Sequence, residues 1–186
     1  MTPVIIRRAG MRDLETASEE MCRLGEESAT AARWSAAAYR SYVEWEAADG
    51  LDQKKILFLA CARTEPAAYS VASASEVDTA RGRIVGFAAF SAIQRVGDCS
   101  LENMAVAKSW RKQGIGSRLL SAGLLWCRAH SGSGMWLEVR ASNVDAIRLY
   151  ERAGFSIAGR RADYYNGPVE AAIQMKQAFR PPSGRC

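Results

Sequence analysis

Two stretches of this 186-residue chain hold residue types at spacings that could do chemistry. The first is Arg111-Lys112-Gln113-Gly114-Ile115-Gly116-Ser117, between an apolar strand-like run and an amphipathic helical run. The opening N–H groups of a helix have no internal acceptor and carry partial positive charge. Glycine, without a Cβ, lets an anion come close to that backbone. Arg111 and Lys112 add full charges. The chemistry this suggests is the holding of a pyrophosphate. The spacing is neither G-x-G-x-x-G nor G-x-x-x-x-G-K-[ST], so dinucleotide-binding and P-loop readings lose their main support. A glycine-rich helix start without a ligand is the alternative at this point.

The second stretch runs from Trp136 to Phe155 and holds an acid and a phenol. On a strand, residues of equal parity share a face. Trp136, Glu138 and Arg140 then point one way, and Met135, Leu137 and Val139 the other. A carboxylate between an indole and a guanidinium is expected to be ionised in a restricted setting. It could accept a proton directly or through one water. On the following helix Ala146, Leu149, Tyr150 and Ala153 form one stripe, which directs Tyr150 inward. The structural alternatives are an ion pair of Glu138 with Arg140 on a solvated face, and Tyr150 as a core aromatic.

Periodicity supplies the elements that must position these groups. Val4–Arg8 reads as a strand, and 13–28 as an amphipathic helix carrying Leu14, Ala17, Met21 and Leu24. A second helix is predicted over 34–48. Strands are predicted over 56–63, 84–93, 99–106 and 134–140, with a turn at Gly97-Asp98. The helix after the glycines should reach about Ala129, its stripe being Ile115, Leu119, Ala122 and Trp126. A short helix over 143–153 should close at Gly154, the residue type favoured just past a helix end. A hairpin over 155–165 and 169–179 turns at Asn166-Gly167-Pro168. The fold class is mixed α/β around one sheet. Residues 1–179 are expected to form a single domain, with 64–82 as a long Ala- and Ser-rich inserted loop and 180–186 as a flexible tail.

Composition narrows the function classes. Lys and Arg number 25 against 20 acids, a net charge of +5, and no basic run is longer than a pair. A nucleic-acid-binding face would call for a stripe, whereas a modest excess suits one small polyanion held locally. The five cysteines are widely spaced and form no C-x-x-C, which argues against a disulfide framework or zinc ribbon and for buried thiols. The single His130 cannot supply a multi-histidine metal site. No apolar run approaches the roughly 20 residues of a membrane span, and the N-terminal apolar stretch is too short for a signal-peptide core. A cytoplasmic protein is expected.

Together the two stretches resemble the GCN5-related N-acetyltransferase (GNAT) superfamily. Arg111-x-x-Gly114-x-Gly116 matches its [RQ]-x-x-G-x-[GA] coenzyme-A signature. The run Leu137-Glu138-Val139-Arg140-x-Ser142-Asn143-x-x-Ala146-x-x-Leu149-Tyr150-x-x-x-Gly154-Phe155, followed by Arg161-x-x-Tyr164-Tyr165, is similar to the bacterial RimI-like enzymes. Those acetylate the N-terminal alanine of a small-subunit ribosomal protein. The resemblance spans 4–179 and is dense over 101–175. It implies a central, mostly antiparallel sheet splayed between two strands and flanked by helices.

It also implies site residues. Met104, Ala105 and Val106 would pair with the pantetheine arm of acetyl-CoA. Arg111, Lys112, Gln113, Gly114, Ile115, Gly116 and Ser117 would hold its pyrophosphate, and Asn143 would bond the coenzyme arm. Glu138 would be the general base and Tyr150 the general acid. Trp34, Tyr164 and Tyr165 would line the peptide entrance. The implied reaction is direct attack of an amine on acetyl-CoA in a ternary complex, with no metal. The implied partners are acetyl-CoA and a ribosomal-protein N-terminal peptide, without direct nucleic-acid or membrane contact, the chain acting as a monomer. Other protein N-termini or small amines remain alternative substrates, and a non-catalytic coenzyme-A-binding, ribosome-associated protein is a distant third reading.

Three features depart from the pattern. Glu102 stands on the central strand where relatives often carry an apolar residue. It is a second candidate base, placed by simple alternation on the opposite face from Asn103. Glu170-Ala171-Ala172 replaces a Glu-Asp-Ala run. The 64–82 loop should flank the coenzyme end of the cleft.

Overall fold

The structure is a computed structural model that describes residues 2–28, 33–44, 53–63, 82–93, 97–130 and 133–179. The strands are β1 (Val4–Arg8), β2 (Gln53–Ala62), β3 (Arg83–Ile93), β4 (Asp98–Val106), β5 (Gly134–Arg140), β6 (Ser156–Tyr165) and β7 (Glu170–Ala178). The helices are α1 (Leu14–Glu27), α2 (Ala36–Glu44), α3 (Ile115–His130) and α4 (Val144–Arg152). The strands form one sheet in the order β1-β2-β3-β4-β5-β7-β6. Every neighbouring pair is antiparallel except β4 and β5, which run parallel.

Two apolar clusters cover the two faces. On one, α1 and α2 bring Met21, Leu24 and Tyr39 onto Leu57, Leu59 and Phe87. On the other, α3 sets Leu119 and Leu120 among Phe90, Met135 and Met175, and Leu149 of α4 packs at the margin. Alternation along β3 serves both: Phe87 and Ala89 face α1 and α2, while Ala88 and Phe90 face α3. Gly123 lets α3 sit directly on the sheet. A Cβ there would fall 2.0 Å from the Phe90 ring.

The parallel pair is short. Asp98 to Leu101 of β4 pair with Gly134 to Leu137 of β5, and there the pairing ends. Beyond it β4 stays with β3 and β5 stays with β7. At the parting point β4 carries a bulge: Phe90 faces Leu101 and Ala89 faces Asn103, leaving Glu102 unopposed. A bulge adds twist and bends its strand, which turns β4 away from β5. It also resets the faces. Cys99 and Leu101 lie in the α3 cluster, whereas Ala105 and Ala107 lie in the α1–α2 cluster. Glu102 therefore shares the side of Asn103, contrary to simple alternation, and accepts the Ser91 hydroxyl at 2.6 Å.

Other boundaries moved little. The start predicted at Asp13 is a short 3₁₀ turn, Met11–Asp13, that runs into α1. Strand β2 begins at Gln53, ahead of its apolar run, because the facing β3 offers backbone partners as far as Ile93. Helix α2 starts two residues after Trp34 and is described to Glu44. The predicted continuation to 48, residues 64–81 of the inserted loop and the 180–186 tail lie outside the described residues. Among the described residues Cys61, Cys99 and Cys127 are buried free thiols and Cys22 is half-buried. No described helix is long and apolar enough to cross a membrane.

The Gly123–Phe90 contact leaves no room for a methyl group. Gly123→Ala should lose about 1–3 kcal/mol in denaturant unfolding, the usual cost of overpacking a core, despite alanine's better helix propensity. Adding Phe90→Leu should recover part of the loss.

Candidate active site

Where β4 and β5 part, a cleft of about 660 Å³ opens. Leu101 to Val106 form one wall, Glu138 and Val139 the other, and the 111–117 turn and α4 frame the mouth. On the cleft side the backbone of β4 beyond Leu101 has no neighbouring strand. Its N–H and C=O groups there have no strand partner and must find others. Met104, Ala105 and Val106 all line this wall.

The turn at the mouth has an unusual backbone. Lys112 (φ 59°) and Gly114 (φ 78°) both adopt the left-handed region. At Gly114 a Cβ would meet nothing within 4 Å, so glycine is used there for its backbone conformation and leaves the approach open. At Gly116 a Cβ would lie 3.4 Å from Leu149 of α4, bringing the two helices together at the mouth. The first helical bond of α3 runs from the Arg118 N–H to the Gly114 carbonyl. The N–H groups of Ile115, Gly116 and Ser117 come before it and have no acceptor within the helix. This donor set, with open space at Gly114, fits a diphosphate. Two side chains of the stretch have other work: Arg111 donates through Nε to the Val106 carbonyl at 3.0 Å, and Gln113 through Nε2 to the Ser109 carbonyl at 3.2 Å. Arg111 and Lys112 line the cleft, and the Lys112 ammonium lies 3.5 Å from Asp145 across the mouth. Both groups of that pair are exposed, so it is weak and readily exchanged for another partner.

Asn143 lines the cleft and also caps α4, its Oδ1 accepting the Ala146 N–H at 3.2 Å. The stripe read from sequence holds: Tyr150 is buried, lines the cleft and packs edge-on against Phe155 with ring centres 6.0 Å apart. Burial raises its phenol above the ordinary tyrosine value, with the neighbouring Tyr165 adding to the shift. At neutral pH Tyr150 therefore carries its proton.

Glu138 faces the same cleft, but its cation is not Arg140. Its Oε1 accepts from Arg161 Nη1 at 2.8 Å and from Gln174 Nε2 at 3.1 Å. Arg140, almost wholly buried, reaches the other way. It pairs with Glu170 at 3.2 Å, donates to the Pro168 carbonyl at 3.3 Å and stacks on Tyr165 with its guanidinium carbon 4.3 Å from the ring centre. The registers explain the exchange. Gln174 lies directly opposite Glu138, whereas the small Ala172 lies opposite Arg140 and leaves it free to extend to the hairpin end. Glu170 in turn accepts the Ser142 N–H at 2.5 Å, and that bond, ahead of the Arg140 charge, holds its carboxyl below the usual range.

Tyr165 lines the cleft, and burial pushes its phenol up to about 12. Tyr164 is exposed beside it and carries Arg161 on its ring at 5.1 Å. Trp34 is placed elsewhere. It packs on Tyr39 and Tyr42, with ring centres 5.4 and 5.1 Å away, at the edge of the α1–α2 cluster and outside the lining of this cleft. Its position just before a helix could not reveal which face it would meet. Sequence reasoning missed Asn103, Asp145, Arg148 and Arg152, which all line the cleft. For Asp145 and Arg152, four residues before and three after Leu149, helical spacing was the available signal.

The candidate site is thus an open cleft between parted strands, with an N–H cradle at its mouth and a carboxylate and a protonated phenol on its walls. The chain belongs to the acetyltransferase (GNAT) family, whose model matches residues 28–155. Among curated proteins it is 37% identical to the [ribosomal protein bS18]-alanine N-acetyltransferase of Escherichia coli (strain K12) over 87 residues, 47% of this chain and 57% of that one. The match thus spans little more than half of that relative. The crystal structure of the ribosomal-protein-S18-alanine N-acetyltransferase from Escherichia coli superposes with a TM-score of 0.68 at 26% identity, over 98% of this chain and 97% of that one. Arabidopsis thaliana NAA60, solved in complex with acetyl-CoA, shares the fold with a TM-score of 0.71 at 19% identity, over 95% of this chain and 99% of that one.

The Asn143 cap can be separated from any contact with a ligand. Asn143→Ala should lower stability by about 1 kcal/mol in denaturant unfolding, and Asn143→Asp should retain most of it, since both native and Asp side chains accept the Ala146 N–H.

Proposed function

We propose that this acyltransferase moves the acetyl group of acetyl-CoA to the N-terminal alanine of a small-subunit ribosomal protein, within one domain formed by residues 1–179. The supporting observation is that Glu138 and Tyr150 line one cleft whose open β4 edge and N–H cradle suit a thioester donor.

The diphosphate lies on the N–H groups of the 111–117 turn and the pantetheine arm runs along β4, with Asn143 at its side. The thioester carbonyl then faces backbone donors of β4, which stabilise the oxyanion as it develops. The incoming amine passes Tyr164 and Tyr165. Glu138 accepts its proton, directly or through one water. The nitrogen lone pair forms the N–C bond, the C–S bond breaks, and the departing thiolate takes the Tyr150 proton. Holding amine and thioester together supplies much of the remaining acceleration. An N-terminal amine, at about 7.7–8.0, is roughly one-tenth neutral at pH 7, while a lysine at about 10.4 is neutral only to a few parts in ten thousand. A carboxylate base therefore suits an N-terminus.

A peptide is favoured over a polycationic small amine by the charges at the entrance. Glu138 is engaged by Arg161 and Glu170 by Arg140, leaving no cluster of unpaired acids at that end among the described residues. A cytoplasmic setting, where ribosomal proteins and acetyl-CoA meet, follows from this reading.

Mass spectrometry of a peptide starting Ala-Arg, set against aminoglycosides and polyamines, tests the substrate class: acetylation confined to the peptide N-terminus is expected, and preferential transfer to the small amines would overturn it. Tyr150→Phe should lower turnover about 10²–10⁴-fold with acetyl-CoA affinity nearly unchanged. A raised phenol value means Tyr150 stays protonated until well above its ordinary range. The rate should therefore rise as the peptide amine deprotonates and show no falling limb from Tyr150 below about pH 10. Initial rates from pH 6 to 10 check this.

A further inference from the structure

The arginines beside Glu138 and the β6–β7 hairpin are already engaged: Arg140 by Glu170 and Arg161 by Glu138. Arg148 and Arg152 differ. They stand four residues apart on α4, are exposed, and both line the cleft. Among the described residues neither has an ion-pair or hydrogen-bond partner. Their location is fixed by the residue between them: Leu149 lies against Gly116 of the diphosphate turn. Arg148 adjoins this contact residue and Arg152 lies about one helical turn beyond it, both lining the same cleft.

This inference rests on acetyl-CoA as the donor. The diphosphate is accommodated by the α3 N-terminus, and the uncharged pantetheine arm by β4. The one charged group of the coenzyme then left over is the ribose 3′-phosphate, which carries between one and two negative charges near pH 7. Two unpaired guanidiniums lining the same cleft, on the helix that packs against the cradle, match it in sign, and a guanidinium fork suits phosphate oxygens. We propose that Arg148 and Arg152 form a subsite for the 3′-phosphate, so that α4 selects the phosphorylated coenzyme. Asp145, one turn earlier on the same side, has Lys112 3.5 Å away, which offsets part of its repulsion of a phosphate.

The test is calorimetric titration of coenzyme A and 3′-dephospho-coenzyme A into the native protein, Arg148→Gln, Arg152→Gln and the double variant, with Arg160→Gln as a charge-matched control outside the cleft. The native protein should bind coenzyme A about tenfold more tightly than the dephospho form. Each single variant should lose about three- to fivefold for coenzyme A alone, as exposed charge pairs contribute modestly. The double variant should bind both ligands equally, Arg160→Gln should behave as native, and the discrimination should shrink with added salt. Equal binding of the two ligands by the native protein, or variants that weaken both alike, would overturn the subsite while leaving coenzyme binding intact. Binding of neither ligand would instead overturn the acetyl-CoA reading, and the subsite with it.

Discussion

The site depends on one limit in the sheet: β4 and β5 are hydrogen-bonded for four residues each and no further. A parallel pair would ordinarily continue while both strands have free edges. Here Glu102, bulged out of the β3 ladder, bends β4 at the residue after the last β5 partner. The two strands then keep their outer neighbours and lose each other. This leaves a strand edge open inside the molecule, where edges are normally paired or covered. A flat, fully paired sheet built from the same residues would have neither cleft nor free donors.

The rest of the architecture holds that gap open. Helix α3 bears on β3 through the Gly123–Phe90 contact, and its N-terminus is aimed at the mouth of the cleft by the two left-handed residues before it. Helix α4 follows β5 and, through its Asn143 cap and inward stripe, sets a buried Tyr150 on the wall of the gap. The hairpin of β6 and β7 extends the β5 side and supplies Arg161 and Gln174, which fix the Glu138 carboxylate by a single oxygen. The other oxygen is not fixed by these two bonds. Tyr150 is held protonated by its removal from water, while the Glu138 carboxylate is positioned by Arg161 and Gln174.

Much of this was legible in the residues. The glycine turn before α3, the strand–helix unit and the inward direction of Tyr150 followed from local rules: helix ends, glycine conformations and the 3.6-residue period. Those rules act within a few residues, so they survive without knowledge of the fold. The partner of Glu138 was not legible, because Arg161 and Gln174 lie 23 and 36 residues away and meet it only through two strand registers. Glu102 was misplaced for a related reason: period-two alternation assumes an unbroken ladder, and the bulge inserts one residue. Trp34 was assigned to the entrance by resemblance; the packing of α1 and α2 on the sheet sets it beside Tyr39 and Tyr42, outside the lining of the cleft.

The sequence by itself determined which segments become strands and helices, which glycine turn opens the helix at the cleft mouth, and which phenol stands on an inward-facing position. These depend on short-range sterics and on the spacing of apolar groups. Tertiary structure alone decided where β4 and β5 separate, which guanidinium reaches which carboxylate, and which arginines of α4 remain unpaired beside the cradle. Those outcomes are set by register and by helix-on-sheet contacts between residues far apart in the chain, and no local pattern encodes such distances.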